Sequence, residues 1–116
     1  MVKNKKLSSV EIKPSTRAAS KYMAIFKNGE GVKVKTIHFG AKGYRDTTLT
    51  SNKSSEFYIA DEDKRNKVKT LYINRHKTSE NWEEPDNAGS LSRWILWDKP
   101  TFKEGVEAYK KRFNLK

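Results

Sequence analysis

The sequence predicts an α+β domain: a basic N-terminal arm, a β-hairpin or small antiparallel sheet, and three helices packed on it. Three observations carry this reading. β-favouring runs flank Asn28-Gly29, the dipeptide that most readily closes a tight hairpin. From Asp61 the apolar spacing becomes helical, with acids first and bases last, as the helix dipole favours. Thr101 and Glu104 frame a capping box, and an apolar stripe follows it.

The elements follow in chain order. Residues 1–21 hold six basic residues (Lys3, Lys5, Lys6, Lys13, Arg17, Lys21) against one acid, Glu11, and their apolar residues show no clear period, so this segment reads as an arm. The single domain is then 22–116. Tyr22 to Lys27 and Val32 to Phe39 form the hairpin. Its second strand sets Val32, Val34, Thr36 and His38 on one face and Lys33, Lys35, Ile37 and Phe39 on the other. Gly40-Ala41-Lys42-Gly43 ends that strand, and residues 40–56 read as a loop that could hold a short strand around Tyr44 to Leu49. A helix is expected over 61–77, with Val68, Leu71, Tyr72 and Arg75 on one face. Glu80 to Gly89 is an acidic loop anchored by Trp82. A short helix follows, with Ser90 as its expected N-cap and Leu91, Trp94 and Ile95 turned inward. In the last helix Phe102, Val106, Tyr109 and Phe113 fall on one stripe. The expected core is therefore Trp82, Trp94, Trp97, Phe102, Val106, Tyr109 and Phe113.

Composition limits what such a domain can do. The chain has 116 residues, 25 Lys and Arg against 14 Asp and Glu, and a formal charge of +11, so its partner should be acidic. Three Trp and an aromatic content of 11% argue against a disordered polyelectrolyte. The absence of Cys excludes a disulfide framework, a thiolate nucleophile and a cysteine-based zinc site. No apolar run approaches the ~20 residues of a membrane span, and no apolar stretch follows the charged start as it would in a secretory signal.

Catalytic signals are weak. His38 at a strand end and His76 at a helix end are the two available imidazoles, and each has an ordinary structural reading, as a packed strand residue and as a cation at a helix C-terminus. Asp61, Glu62 and Asp63 are adjacent in a helix, where successive side chains diverge by about 100° and cannot converge on one ion, so they read as first-turn acids. The Gly40 to Gly43 loop lacks the pattern of a phosphate-binding loop. No cofactor, metal or small-molecule substrate is expected. Tyr44, between Lys42 and Arg45, is the one aromatic suited to stacking on a base.

Several strings carry a resemblance: His38-Phe39-Gly40-Ala41-Lys42-Gly43-Tyr44-Arg45-Asp46, Tyr72 to Lys77, Glu80-Asn81-Trp82, Ala88-Gly89, Leu91 to Thr101 and Tyr109 to Phe113. Together they resemble a family of short proteins, without assigned activity, encoded by nucleocytoplasmic large DNA viruses of algae and amoebae. The resemblance implies a viral protein located in the virion and, during assembly, in the host cytoplasm. Joined to the charge, it makes the expected function that of a non-enzymatic minor-capsid or cement protein bridging larger shell proteins. The alternative is a sequence-indifferent DNA-binding protein of the nucleoid or packaging type. Under either reading the partner- or phosphate-binding residues are Lys3, Lys5, Lys6, Lys13, Arg17, Lys33, Lys35, Lys42, Tyr44 and Arg45.

Overall fold

Val10 and Ile12 alternate with Glu11 and Lys13, and this period of two is realised as a strand, β1 (Ser9–Pro14), in the computed structural model, which describes residues 7–116. The expected arm over 1–21 is corrected by this finding. Its residues 9–14 are the first strand of the sheet and Ser20 and Lys21 open the second, and only Lys3, Lys5 and Lys6 of its cations lie outside the described residues. β2 (Ser20–Lys27) and β3 (Lys33–Ala41) form the expected hairpin, and the three strands make one antiparallel sheet in the order β1-β2-β3. Val10 faces Phe26, Ile12 faces Ala24, and Tyr22 faces Phe39, so one face collects the apolar residues of all three strands. The far edge of β1 is met by the C-terminal backbone: the Val10 amide donates to the Lys116 carbonyl at 3.0 Å and the Lys116 amide to Ser8 at 3.1 Å.

In the connection after β3 the structure has a helical turn, α1 (Thr47–Thr50), where the sequence suggests a short strand. Asp46 decides this. Its side chain accepts the Leu49 amide as an N-cap, and that local hydrogen bond favours a helix start over an extended ladder. α2 (Glu62–His76) is the helix expected at 61–77, capped by Asp61, whose carboxylate accepts the Asp63 and Lys64 amides. Of its expected face only Tyr72 is buried and Val68 packs against the core, whereas Leu71 is exposed. Asn87, not Ser90, caps α3 (Ala88–Leu91). Its side chain takes the Ser90 amide at 2.8 Å, and Ser90 lies buried inside the helix. α3 runs straight into a π turn, Ser92–Leu96, in which the Trp97 amide reaches back five residues to the Ser92 carbonyl at 3.1 Å. α4 (Phe102–Arg112) begins with the expected capping box, the Glu104 amide donating to Thr101 Oγ1 at 3.2 Å.

The core lies between the apolar face of the sheet and the α3–α4 layer. It joins Val10, Ala24, Phe26 and Phe39 to Leu91, Ile95, Leu96, Trp97 and Tyr109. Of the expected core, Trp97 and Tyr109 are buried, and Trp82, Trp94, Phe102, Val106 and Phe113 pack against it half-buried. The strand residues and Leu91, Ile95 and Leu96 complete it. α4 approaches the π turn so closely that a β-carbon at Gly105 would overlap the Ile95 carbonyl.

Candidate functional site

The cations proposed from sequence do not form one patch. Lys33 is exposed near the β2–β3 turn, and Lys35 is tied to Asp86 at 3.0 Å. Lys42, Tyr44 and Arg45 follow β3 at its opposite end, eight residues from Lys33, which is about 26 Å at the ~3.3 Å rise of a strand residue. Arg17 joins this second group, because the Lys42 amide donates to the Ala19 carbonyl at 3.0 Å and holds the two turns side by side. Lys13 stands apart on β1, 3.9 Å from Glu11. Tyr44 is 70% exposed, as a stacking aromatic must be. His38 has its structural role, its Nδ1 2.7 Å from Ser15 Oγ.

Beside the second group lies a cavity of about 430 Å³ that the sequence reading did not foresee. The end of β3, the loop after it, α2, α3 and the π turn wall it, so its residues come from segments remote in the chain. Val68, Leu96, Tyr72 and Trp97 give it an apolar side, with the Tyr72 and Trp97 rings stacked at 4.2 Å and 9°. Lys21, Arg45, Asp46, Arg75, His76 and Glu80 give it a polar side.

Two ion pairs build that polar side. Lys21 Nζ lies 2.7 Å from Asp46 Oδ2 and also donates to the Tyr44 carbonyl at 2.7 Å, which fixes the loop carrying Tyr44 and Arg45. Asp46 is almost wholly buried (1% exposed), so this lysine neutralises a charge that would otherwise be costly to bury. At the other wall His76 Nδ1 lies 2.7 Å from Glu80 Oε2, and Glu80 Oε1 accepts from the Trp82 indole at 3.1 Å. An ionised carboxylate can only accept, so Nδ1 carries the proton and Nε2 is left as the open nitrogen. A β-carbon at Gly89 would overlap the Glu80 carboxylate, so glycine there lets the acid sit against the α3 backbone. Gly40, at φ +78°, serves the same end: a β-carbon there would lie 2.9 Å from Leu96 Cδ1. Burial, reinforced by the Glu80 charge, pushes the Tyr72 phenol well above its ordinary value, so it stays a neutral donor.

Arg45 and Arg75, both exposed, pair with no carboxylate among the described residues, and they leave the mouth of the cavity cationic. Trp94, by contrast, has two guanidinium groups over its ring, Arg93 at 4.3 Å and Arg112 at 3.6 Å, and its indole donates to the Trp82 carbonyl. That cluster is structural cement. Among the described residues no group of three or more His, Asp or Glu could hold a metal ion, and no helix is long and apolar enough to cross a membrane. The spacing His76-x3-Glu80 is the one trace of the dyad legible in the chain, and it was obscured because Glu80 lies beyond the helix end.

A model described as a family of unknown function (DUF5754) matches residues 10–76, from the second residue of β1 to the end of α2. No curated protein and no solved structure matches the chain.

Proposed function

We propose that this chain, which belongs to the DUF5754 family, is a non-enzymatic basic protein that bridges acidic neighbours, as a minor structural, cement-type component of the particle of a large DNA virus. The observation that carries the reading is the separation of its exposed cations. Lys33 stands at one end of β3 and Arg17, Lys42 and Arg45 at the other, about 26 Å apart by strand rise. A protein that joins two shell subunits needs two contact surfaces, and a pair of basic ends on a rigid three-stranded sheet supplies them. The viral setting is supported by the resemblance of the strings around the cavity and α3.

The test is charge reversal at each end separately. Lys33→Glu and the pair Lys42→Glu, Arg45→Glu should each reduce incorporation into particles, and each should remove cross-links to a different neighbour. Reversal at one end that removes all cross-links, or none at either end, counts against bridging. Deleting residues 1–6 is the clean probe of the basic start, since a longer deletion would take β1 with it.

A second reading, sequence-indifferent binding to nucleic acid, is favoured by exposed Tyr44 between Lys42 and Arg45, an aromatic flanked by phosphate-seeking charges. It predicts a strongly salt-dependent mobility shift, falling about a thousandfold between roughly 50 and 200 mM salt if six phosphates are neutralised. Absence of duplex or single-strand binding at the lower salt removes this reading and leaves the first intact.

A further inference from the structure

We infer that the cavity between β3, α2 and α3 is a binding site for a nucleotide-like ligand, a planar base-sized ring carrying a phosphate. The inference goes beyond the bridging function and shares Arg45 with it, whereas Arg75 and His76, which bridging does not use, let the two be tested apart.

Size comes first. About 430 Å³ falls within the range of ~300–1,000 Å³ that small-molecule sites occupy, and the cleft opens to solvent. Its walls are braced from outside. Lys21 and Asp46 pin the loop, the Glu80 carboxylate is held by His76 and Trp82, and the glycines at 40 and 89 let backbone form parts of the wall. The site is thus largely formed before any ligand arrives.

The chemistry of the walls then selects the ligand. One side is apolar, formed by Val68, Leu96, Tyr72 and Trp97, and it suits the apolar body of a base-sized ring. On the other side both carboxylates are already committed. Asp46 accepts from Lys21, Thr48 and the Leu49 amide, and Glu80 accepts from His76 and Trp82. The uncommitted groups are the guanidinium of Arg45 from the loop, that of Arg75 from the last turn of α2, and Nε2 of His76 one residue on. Two planar forks offer more donors than one carboxylate can accept, and they match the three oxygens of a terminal phosphate. Ring on one side and phosphate on the other is the layout of a nucleoside monophosphate, either free or at the 5′ end of a strand.

The experiment is an NMR titration of the full chain, following backbone amides. The probes are adenosine 5′-monophosphate, adenosine, inorganic phosphate and a 5′-phosphorylated tetradeoxynucleotide. The monophosphate should give saturable shifts at Gly40, Ala41 and Ser92, with an affinity at least about tenfold above that of adenosine or phosphate alone. Arg75→Gln should weaken it by about tenfold or more. Lys33→Gln, equal in charge change but distant, should leave it unaltered. Competition by the tetranucleotide would assign the ligand to a strand end, and its failure to compete would assign it to a free nucleotide. The inference is overturned by shifts that do not saturate below about 10 mM, by phosphate or adenosine matching the monophosphate, or by Lys33→Gln weakening binding as much as Arg75→Gln. Arg75 is exposed, so its replacement leaves the fold intact, and Arg45→Gln repeats the test from a second element.

Discussion

Tyr109 and Tyr72 are both buried tyrosines on helices, yet one closes a packed layer and the other borders a cavity. Around Tyr109 every group is spent. The ring is fully buried, tilts against Phe113 at 5.0 Å, and donates its hydroxyl to the Pro85 carbonyl at 2.6 Å, beside the close approach of Gly105 to Ile95. Around Tyr72 three rings gather, Trp97 at 4.2 Å, His76 at 4.5 Å and Trp82 at 6.4 Å, but they border a cleft with a cationic rim. α4 is strongly amphipathic, as a helix that closes a core must be, whereas α2 is polar almost all round and buries little besides Tyr72. The difference teaches that the face of α4 around Tyr109 serves packing, whereas the face of α2 around Tyr72 joins packing to a cleft with a cationic rim.

The comparison can be broken by mutation, beginning where the effect is largest. Tyr109→Ala should cost about 3–5 kcal/mol in chemical unfolding, because a closed site cannot collapse around the void. Gly105→Ala should cost about 1–3 kcal/mol, since the added methyl meets backbone and not a movable side chain. Tyr72→Ala should cost roughly half as much as Tyr109→Ala, because the space left opens to an existing cavity. Equal losses at the two tyrosines would erase the distinction. Gly89→Ala should change stability by no more than about 1 kcal/mol, yet push the Glu80 carboxylate off His76. The His76 Nδ1 proton, followed by NMR, should then lose its hydrogen-bonded signal, and an unchanged signal would mean that the dyad does not depend on that close approach.

Alkali gives the smallest and finest test. Burial raises both phenols above the ordinary tyrosine value of 10.0, with Glu80 adding to the effect at Tyr72 and Asp86 at Tyr109. A raised folded-state value means the unfolded chain loses its protons first. Stability from these groups is therefore intact below pH 10 and falls as pH rises beyond it. Tyrosine absorbance and circular dichroism, recorded together, should show the Tyr72 and Tyr109 phenols ionising only as the fold is lost. Their ionisation near 10.0 with the fold intact would contradict the burial.

Legibility followed the range of the interactions. The hairpin at Asn28-Gly29, the α2 boundaries and the Thr101 cap were readable because each depends on residues within a few positions of one another. β1 carried its own signal in Val10-Glu11-Ile12-Lys13, but that alternation was outweighed by the run of basic residues around it. The α3 cap was misassigned because Asn87 and Ser90 are both good capping residues three apart, and only the fold decides which stands outside the helix. The cavity was not legible at all. Its walls come from residues near 40, 72 and 92, and no local pattern announces that three segments so far apart will leave a gap when they meet.

One consequence lies in the π turn at Ser92–Leu96. It takes one residue more into its turn than an α-helix does, so the Trp97 amide closes on Ser92 and not on Arg93. Deleting a single residue there would let the segment rewind as ordinary helix with one residue fewer of chain. The stack of Trp97 on Tyr72 lies at the end of that turn and the contact of Gly105 with Ile95 within it, so both report whether the extra residue is in place.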